Sequence, residues 1–448
     1  MMAGTQNPQE SVQMPSPGPG TGSPAWEQHI ARGESERARL AEGLANRSIA
    51  LPLGLWRQQA HFTVPVAAEA IARKAVEQGT APMARILERL GVTAADLAER
   101  LEVTPDRIEH RLAKPIRSPL VMLDGEDAQP LRDDISSAAP ATIARVLVEA
   151  DWGTGPTRAL RFFRPPGFSI QSSVRDIYGV LAACGARHAG GVVDGIIFPK
   201  IEHPEEAVLL DNLLSAAEQE LGRPAGSIRV GLLIESTWAL AQLPDIVRSA
   251  SGRLASLIFG SADYSADAGL PAIDHGHPLL EWARLEIINV AAAVGVPAID
   301  SMTLAYPVAD PGLGAADNRA RFLSRMELVY RDALHARALG MLGKWVGHPA
   351  QLFAVLLAFD ESMRPAALEE EAGKLEAYRQ AVEDGRGATI IGGVMSDRAT
   401  DRHARALLRQ ATALGLFDPR RAVVLGVITG TELAEASASW DAHDEGGS

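Results

Sequence analysis

Two acidic side chains follow apolar stretches of the sequence, at points where catalytic groups could lie. Glu235 comes directly after the run from Ile228 to Ile234, and Asp263 follows the run from Ala255 to Phe259. In a barrel of parallel strands the carboxyl ends of all strands open onto one face, so the two carboxylates would converge there. Two carboxylates that leave positions open for water or substrate oxygens favour Mg²⁺ or Mn²⁺. The alternative is that each residue caps a helix after a strand.

Most of the other apolar runs also end in a polar residue. In chain order these residues are Asp124, Glu126 and Asp127 after one run, then Arg164, Lys200, Glu235, Asp263, Asp300 and His348 after successive runs. Strand ends that share one mouth would bring them together, so the sequence predicts a common active site. Several carboxylates in one mouth would repel one another without a divalent cation, whereas Arg164 and Lys200 would receive an anionic substrate. A chelated 2-oxo acid beside an arginine would form an enolate, the intermediate of aldol and Claisen cleavage.

The elements that must position these residues are short apolar runs alternating with helical segments. Continuous hydrophobicity is typical of strands buried on both faces, and the helices between them imply right-handed parallel crossovers. The runs are Pro119–Leu123, Ala159–Phe163, Gly195–Phe198, Ile228–Ile234, Ala255–Phe259, Val296–Ile299 and Gly343–Val346. One upstream strand, within Ser48–Trp56 or at His61–Pro65, would make eight. We therefore predict an α/β fold, a (β/α)8 TIM barrel, rather than an open doubly wound sheet.

The barrel is predicted to carry appendages at both ends. Residues 1–25, rich in Pro, Gly and Ser, predict a disordered tail. Residues 26–115 predict an N-terminal helical region that includes the first strand at about 48–66, and residues 116–359 the catalytic barrel. Residues 360–448 predict a C-terminal helical lid without strands, which could pack on a neighbouring subunit.

The N-terminal region contains a segment like a helix-turn-helix. Residues 67–114 are helical by periodicity, and Thr93 and Thr104 are placed to cap two successive helices. A DNA-reading role needs basic residues on the second helix. Arg107, Arg111 and Lys114 are present there, but Asp106 and Glu109 offset them. We therefore expect a packing or oligomer-forming insertion rather than a DNA-binding one.

Composition and charge exclude several functional classes. The chain has 448 residues and a formal net charge of −13, which argues against a nucleic-acid surface because phosphate binding needs clustered Lys and Arg. The single cysteine, Cys184, cannot form a disulfide within one chain and indicates a reducing compartment. The sequence has no apolar span of about 20 residues and no basic-then-apolar N-terminal signal. We expect a cytoplasmic protein without a membrane partner.

The ordered motifs resemble those of the HpcH/HpaI aldolase superfamily, in particular its citrate lyase β-subunit-like and malyl-CoA lyase-like members. The matching segments are Asp124–Asp127, Pro199–Glu202, Ile234–Ser236, Gly260–Tyr264, Ala283–Arg284, Ala298–Asp300 and Gly343–Gln351. The resemblance covers about residues 117 to 410. It implies a Mg²⁺-dependent carbon–carbon lyase on a TIM barrel that assembles as trimers or their multiples.

Carried over by position, the resemblance implies that Glu235 and Asp263 bind Mg²⁺ (or Mn²⁺) and that Arg164 stabilises the enolate. The family usually has Asn where this chain has Pro166, which leaves Arg161 as a competing candidate for the arginine. The substrate-binding residues implied are Lys200, Glu126, Asp124 and His348.

The residue that moves the proton has several candidates. In members that use CoA, a C-terminal segment, often from a neighbouring subunit, brings an aspartate to the mouth; Asp397 matches it, and Asp401 is the alternative. Related 4-hydroxy-2-oxo-acid aldolases have His where this chain has Asp127, which points to a CoA thioester substrate. Gly125 and Gly54–Trp56 are more like the free-acid aldolases, and the first-strand Arg-Arg-Ser that helps form the CoA site in the family has no clear equivalent in this chain.

The resulting hypothesis is a Mg²⁺-dependent lyase that cleaves or forms a β-hydroxy acid or a β-hydroxyacyl-CoA through a metal-bound enolate of a 2-oxo acid. Its partners would be the small 2-oxo acid or hydroxy acid, or an acyl-CoA, and other copies of the chain. One alternative is a malate-synthase-like condensing enzyme or thioester hydrolase. Another, from a different class, is a non-catalytic barrel whose helical insertion binds DNA or a protein partner.

Overall fold

The computed structural model describes residues 24–45, 49, 51–126, 133–154, 158–250, 252–274, 276–386, 389–391, 394–396 and 398–437. The chain divides into two units, Met1–Ser48 and Ile49–Ser448. The described part of the first unit is helix α1 (Pro24–Ala45), whose side chains are exposed from Gln28 to Leu40. No helix in the described part of the chain combines the length and the apolar character that crossing a membrane requires.

The second unit is built on a closed barrel of eight parallel strands, which confirms the predicted (β/α)8 fold. The strands are β1 (Ala60–Pro65), β2 (Leu120–Asp124), β3 (Leu160–Arg164), β4 (Gly195–Phe198), β5 (Arg229–Ile234), β6 (Leu254–Phe259), β7 (Ala298–Asp300) and β8 (Gly343–Val346). Each strand pairs with its neighbours in the sequence, and β8 returns to β1 with Trp345 opposite His61. The runs are apolar throughout because one face of each strand fills the barrel and the other packs against helices.

The first barrel strand lies at the second of the two predicted positions, His61–Pro65, and not within Ser48–Trp56. Leu53–Trp56 forms a 3-10 helix instead, with Pro52 as its N-cap. Leu51 and Leu55 pack against the apolar side chains inside the barrel, and Gln58 donates to the carbonyl oxygen of Ala255 near the start of β6. This segment therefore closes the end of the barrel that lies opposite the carboxyl ends of the strands.

Helices surround the barrel and alternate with its strands after β2. They are α2 (Glu69–Gln78), α3 (Pro82–Leu90), α4 (Ala94–Leu101), α5 (Pro105–Ala113), α6 (Asp133–Glu149), α7 (Ser173–Arg187), α8 (Pro204–Glu220), α9 (Thr237–Ala241), α10 (Leu243–Ala250), α11 (Ser261–Asp267), α12 (Pro278–Val294), α13 (Ala315–Leu339) and α14 (Pro349–Phe359). Proline begins α8, α12 and α14, where a missing backbone N–H costs nothing.

The helix-turn-helix-like insertion, α2 to α5, packs on the barrel. Thr93 begins α4 with a capping box, as predicted, whereas the Thr104 side chain makes no capping hydrogen bond. The basic residues of α5 are used inside the molecule: Arg107 pairs with Glu361 at 2.5 Å, and Arg111 pairs with Asp360. These ion pairs favour the packing interpretation over DNA binding.

The C-terminal region is helical, as predicted, but it also contains strands. Helices α15 (Pro365–Glu383), α16 (Arg398–Ala413) and α17 (Pro419–Val424) accompany an antiparallel pair, β9 (Thr389–Ile391) and β10 (Val394–Ser396). The prediction that no strand follows Phe359 is therefore wrong. The apolar side chains of α15 and α16 form a cluster that includes Leu53, so the region packs at the closed end of the barrel, opposite the mouth.

Candidate active site

Glu235 and Asp263 both lie at the mouth formed by the carboxyl ends of the strands. Glu235 follows β5, on the same face as the interior residue Leu233; it is 4% exposed and accepts the backbone N–H of Lys200 at 2.8 Å. Asp263 is exposed in the first turn of α11. The helix-capping alternative is wrong for both, because Ser236 caps α9 and Gly260 precedes α11.

The charge around Glu235 fits a divalent cation. Burial, and after it the nearby carboxylate of Asp263, raise the pKa of Glu235 to about 8, while Arg164 opposes the shift. Two carboxylates that repel each other in this way are stabilised by a bound cation. The described residues contain no group of three or more His, Cys, Asp or Glu side chains arranged to hold a metal. A pair of carboxylates nevertheless suits Mg²⁺, which is usually held by one or two carboxylates and keeps several waters.

Because Gly260 has no side chain, the Glu235 side chain can pack directly against its backbone. A Cβ atom at position 260 would lie 2.6 Å from the Glu235 Cβ and 2.9 Å from its Oε2. The backbone of Gly260, with φ −104°, is open to other residues, so the constraint is contact rather than conformation.

We expect Gly260→Ala to move the Glu235 carboxylate and to weaken Mg²⁺ binding at least about tenfold, because small displacements at a catalytic site are costly. Isothermal titration with Mg²⁺ checks this, and Gly252→Ala, where an added Cβ meets no atom within 4 Å, is the matched control. An unchanged Mg²⁺ affinity in Gly260→Ala would show that the carboxylate does not hold the ion.

Arg164 is locked in place at the end of β3. Its guanidinium donates to both carboxylate oxygens of Asp124, at 2.7 and 2.6 Å, and lies 3.0 Å from Glu126. The ring of Trp345 faces it at 5.4 Å from Cζ to the ring centroid. Arg164 is 3% exposed, and a fork held by two carboxylates has one orientation. Sequence reasoning missed Trp345, although its place on an inward-facing position of β8 could have indicated it.

Lys200 contributes both its side chain and its backbone. Its ammonium lies 2.9 Å from Glu126 and is about one-third exposed, with a side-chain accessibility of 38%. Its backbone has φ +51°, one of two positive values among the described residues other than glycine. This left-handed turn accompanies the hydrogen bond from the Lys200 N–H to Glu235. Asp124, Glu126, Arg164, Lys200 and Glu235 are therefore brought together as the sequence predicts.

Arg161 lies elsewhere. Its backbone N–H donates to Asp194 at 2.7 Å and its side chain lies 3.4 Å from the same carboxylate, which precedes β4. Leu160 and Phe162 point into the barrel, as Arg164 does, so Arg161 points outwards near the amino ends of the strands. The geometry separates the two arginine candidates and places Arg164 at the mouth.

His348 follows β8 and caps α14. Its Nδ1 accepts the backbone N–H of Ala350 at 3.2 Å, so a neutral ring carries its proton on Nε2. Burial, with a smaller contribution from Arg89, lowers the pKa of His348 to about 4. The ring of Tyr306 lies edge-on, with centroids 6.4 Å apart. His348 can therefore present an N–H donor to a ligand at neutral pH.

The lowered pKa predicts acid sensitivity. His348 is protonated near pH 6.5 in the unfolded chain but only near pH 4 in the folded one, so its contribution to stability is complete above pH 6.5 and is lost as the pH falls towards 4. We expect the free energy of unfolding to fall by about 2 kcal/mol from this group between pH 7.5 and 5. The variant His348→Asn keeps a capping side chain, and its free energy of unfolding should fall less between the two pH values when both proteins are measured by urea titration. An equal fall in the free energy of unfolding for the wild type and His348→Asn would contradict the role of His348.

Asp300 does not belong to the mouth, so its predicted place there is wrong. It is fully buried between β7 and the helices, where Arg284 donates to it at 2.8 Å and Lys344 at 2.6 Å. Its neighbour Ile299 points into the barrel, which turns Asp300 the other way. This network holds β7 and β8 against α12.

Two of the proton-transfer candidates, Asp127 and Asp397, lie outside the described residues. Asp401, the alternative to Asp397, lies in the first turn of α16. Both of its carboxylate oxygens accept from Arg405 on the same helix, at 2.8 and 2.9 Å. The described contacts thus give Asp401 a local partner and leave the role of Asp397 as a prediction.

Comparison with known proteins confirms the resemblance seen in the motifs. The L-malyl-CoA/beta-methylmalyl-CoA lyase of Rhodobacter capsulatus is 27% identical over 301 residues, which is 63% of this chain and 85% of that protein. The citrate lyase subunit beta of Leuconostoc mesenteroides subsp. cremoris is 25% identical over 298 residues, 66% of this chain and 87% of that protein.

The fold and the family follow from two further comparisons. A crystal structure of a citrate lyase from Burkholderia xenovorans LB400 matches 85% of this chain and 96% of that chain with a TM-score of 0.55 at 21% identity, which shows a shared barrel fold. A family described as a domain of unknown function, DUF6986, matches residues 54–439, well over half of the chain. The chain therefore belongs to the DUF6986 family.

Proposed function

We propose that this protein is a Mg²⁺-dependent carbon–carbon lyase that cleaves or forms a β-hydroxy acid or its CoA thioester, with a 2-oxo acid as one partner. One observation carries the proposal. The buried Glu235, whose pKa is raised to about 8, lies near a second carboxylate at the barrel mouth. The guanidinium of Arg164 is close enough for its charge to oppose that shift. The relatives named as malyl-CoA lyase and citrate lyase subunit beta support the reaction class.

Glu235 and Asp263 would hold the metal ion. When bound, Mg²⁺ supplies positive charge to the oxygens of a chelated 2-oxo acid. The buried position of Glu235 and the hydrogen bond from the Lys200 N–H fix its Oε1.

Arg164 would stabilise the oxyanion that develops as the carbon–carbon bond breaks. Its contacts with Asp124 and Glu126 set its orientation before the substrate arrives, so little reorganisation is needed during the reaction. Lys200, partly exposed beside Glu126, would attract the anionic substrate into a mouth lined by several carboxylates. We assign the proton transfer to Asp127 or Asp397, in accordance with the motif resemblance.

A lid over the mouth would come from a neighbouring subunit, and we propose self-association as a trimer or a multiple of it. The support is that α15 and α16 pack around Leu53, at the end of the barrel opposite Glu235. Light scattering after size exclusion tests this, and a monomer that retains full activity would contradict it.

The test of the function is release of a 2-oxo acid from two substrate series. Purified protein with Mg²⁺ is given free acids, such as citrate and 4-hydroxy-2-oxo acids, or thioesters, such as malyl-CoA, and the products are identified by mass spectrometry. We expect 2-oxo acid release in one series, abolished by EDTA and restored by Mg²⁺. No release in either series, or full rates in EDTA, would overturn the proposal. Release of free CoA from acetyl-CoA and glyoxylate would indicate a condensing enzyme instead.

A further inference from the structure

Two neighbouring strands place unpaired polar atoms inside the barrel. His61 Nδ1, Thr63 Oγ1 and Trp345 Nε1 are buried and have no hydrogen-bond partner within the described part of the chain. His61 and Thr63 point inwards from β1, because Phe62 and Val64 pack in the cluster outside it. Trp345 on β8 lies opposite His61 and packs against the interior cluster. Buried polar groups are nearly always paired, so three unpaired ones on two adjacent strands need an explanation.

This group of atoms lies next to the candidate active site. Trp345 faces the guanidinium of Arg164 at 5.4 Å. Thr63 is in register with Met122, two residues before Asp124 on the same face of β2, so it lies one layer beneath the Arg164–Asp124 pair. Glu235 follows β5, four strands away from β1 in either direction around the closed barrel. A substrate held at Glu235 would therefore extend its far end towards Thr63 and Trp345.

Two of the three groups, Trp345 and Thr63, are hydrogen-bond donors. The indole N–H of Trp345 can only donate, and the Thr63 hydroxyl can donate to any acceptor. His61 differs: Gln58 uses its amide nitrogen for Leu55 and Ala255, so its oxygen accepts from His61 Nε2 and leaves His61 Nδ1 as an acceptor. The ring of His61 is thus held by Gln58, and its Nδ1 differs from the other two atoms in being an acceptor.

We propose that Thr63 and Trp345 form a subsite for an oxygen atom at the end of the substrate remote from the metal. The enzyme would then favour 2-oxo acids and hydroxy acids that carry a carboxylate or hydroxyl group at that end over those that carry an alkyl group. This inference rests on the proposed function, because it takes Glu235 as the anchor of the other end.

The first test measures the unliganded protein. Thr63→Val keeps the shape of the side chain and removes an unpaired hydroxyl, so we expect its melting temperature to equal or exceed that of the wild type. Ser256→Ala is the matched control, because Ser256 Oγ on β6 is also buried and unpaired. A clear drop in melting temperature for Thr63→Val would mean that the hydroxyl is already satisfied in the folded chain, and it would overturn the subsite.

The second test compares three ligands of similar length in the presence of Mg²⁺. They are 2-oxoglutarate, with a distal carboxylate, 5-hydroxy-2-oxopentanoate, with a distal hydroxyl, and 2-oxohexanoate, with a distal methyl group. We expect the wild type to bind one or both oxygenated ligands at least about tenfold more tightly than 2-oxohexanoate in calorimetric titrations. Thr63→Val and Trp345→Phe should each reduce that preference about fivefold without weakening 2-oxohexanoate, whereas Ser256→Ala should leave it unchanged.

The results of the ligand titrations distinguish failure of the subsite from failure of the proposed function. Equal binding of all three ligands by the wild type, with binding lost in Glu235→Gln, would overturn the subsite and leave the proposed function standing. Failure of the wild type to bind any of them would overturn both. An unchanged preference in Thr63→Val and Trp345→Phe would also overturn the subsite, since the preference would then arise elsewhere.

Discussion

Glu235→Gln is expected to lower kcat for carbon–carbon cleavage by at least about 1,000-fold, because a charged metal ligand contributes several kcal/mol to the transition state. The amide keeps the shape of the side chain and can still accept the Lys200 N–H that lies 2.8 Å away in the wild type. The loss should therefore reflect charge rather than misfolding. Mg²⁺ should raise the melting temperature of the wild type but not that of Glu235→Gln.

The unliganded variant should be the more stable protein at alkaline pH. Glu235 is protonated up to about pH 8 in the folded chain but only up to its ordinary value in the unfolded chain, so the metal-free wild type loses stability as the pH rises towards 8. Glu235→Gln lacks this loss. Asp267→Asn is the matched control, because Asp267 lies on the same short helix as Asp263 but accepts from Thr237. Full activity of Glu235→Gln in EDTA would exclude the metal mechanism.

Arg164→Lys is expected to reduce kcat by about 100- to 1,000-fold, the usual effect of removing one oxyanion-stabilising donor. An ammonium cannot reproduce the two parallel hydrogen bonds to Asp124 together with the contact to Glu126. The variant should also be destabilised by about 3 kcal/mol, because a buried carboxylate is left poorly paired. Urea unfolding monitored by circular dichroism separates this loss of stability from the loss of activity.

The matched control is Arg161→Lys, on the same strand. Its partner Asp194 also contacts Arg158 and lies near the amino ends of the strands, so we expect kcat within about twofold of the wild type. The two substitutions together decide which arginine acts in the reaction. If Arg161→Lys were inactive and Arg164→Lys active, the assignment made from geometry would be reversed.

The sequence was sufficient for the barrel and for much of the site. Apolar runs such as Gly195–Phe198 and Gly343–Val346 coincide with β4 and β8 because strands buried on both faces have little choice of composition. Glu235, Arg164 and Lys200 could be placed at one mouth because each follows such a run.

Three details were not predicted, each for a different physical reason. Asp300 ends a strand of three residues, and a shift of one position moves a side chain to the opposite face, so its direction could not be inferred from the run alone. The pair β9 and β10 was missed because the segment around Thr389 to Ser396 contains two adjacent glycines and no long apolar run. The left-handed backbone of Lys200 has no signal in the residue type, since lysine seldom adopts it.

The helical insertion has a consequence for how the chain folds. Its ion pairs join residues far apart in the sequence, such as Arg107 with Glu361 and Asp96 with Arg319, and β1 pairs with β8 across nearly the same span. Contacts of such high sequence separation form slowly, because the long intervening loop must be closed first. Helix α3 packs against α14, and α4 packs against α13. During synthesis the apolar faces of α3 and α4 therefore have no partner until α13 and α14 have been made. We therefore expect barrel closure to be a late folding event, and the nascent N-terminal region to expose apolar surface until it occurs.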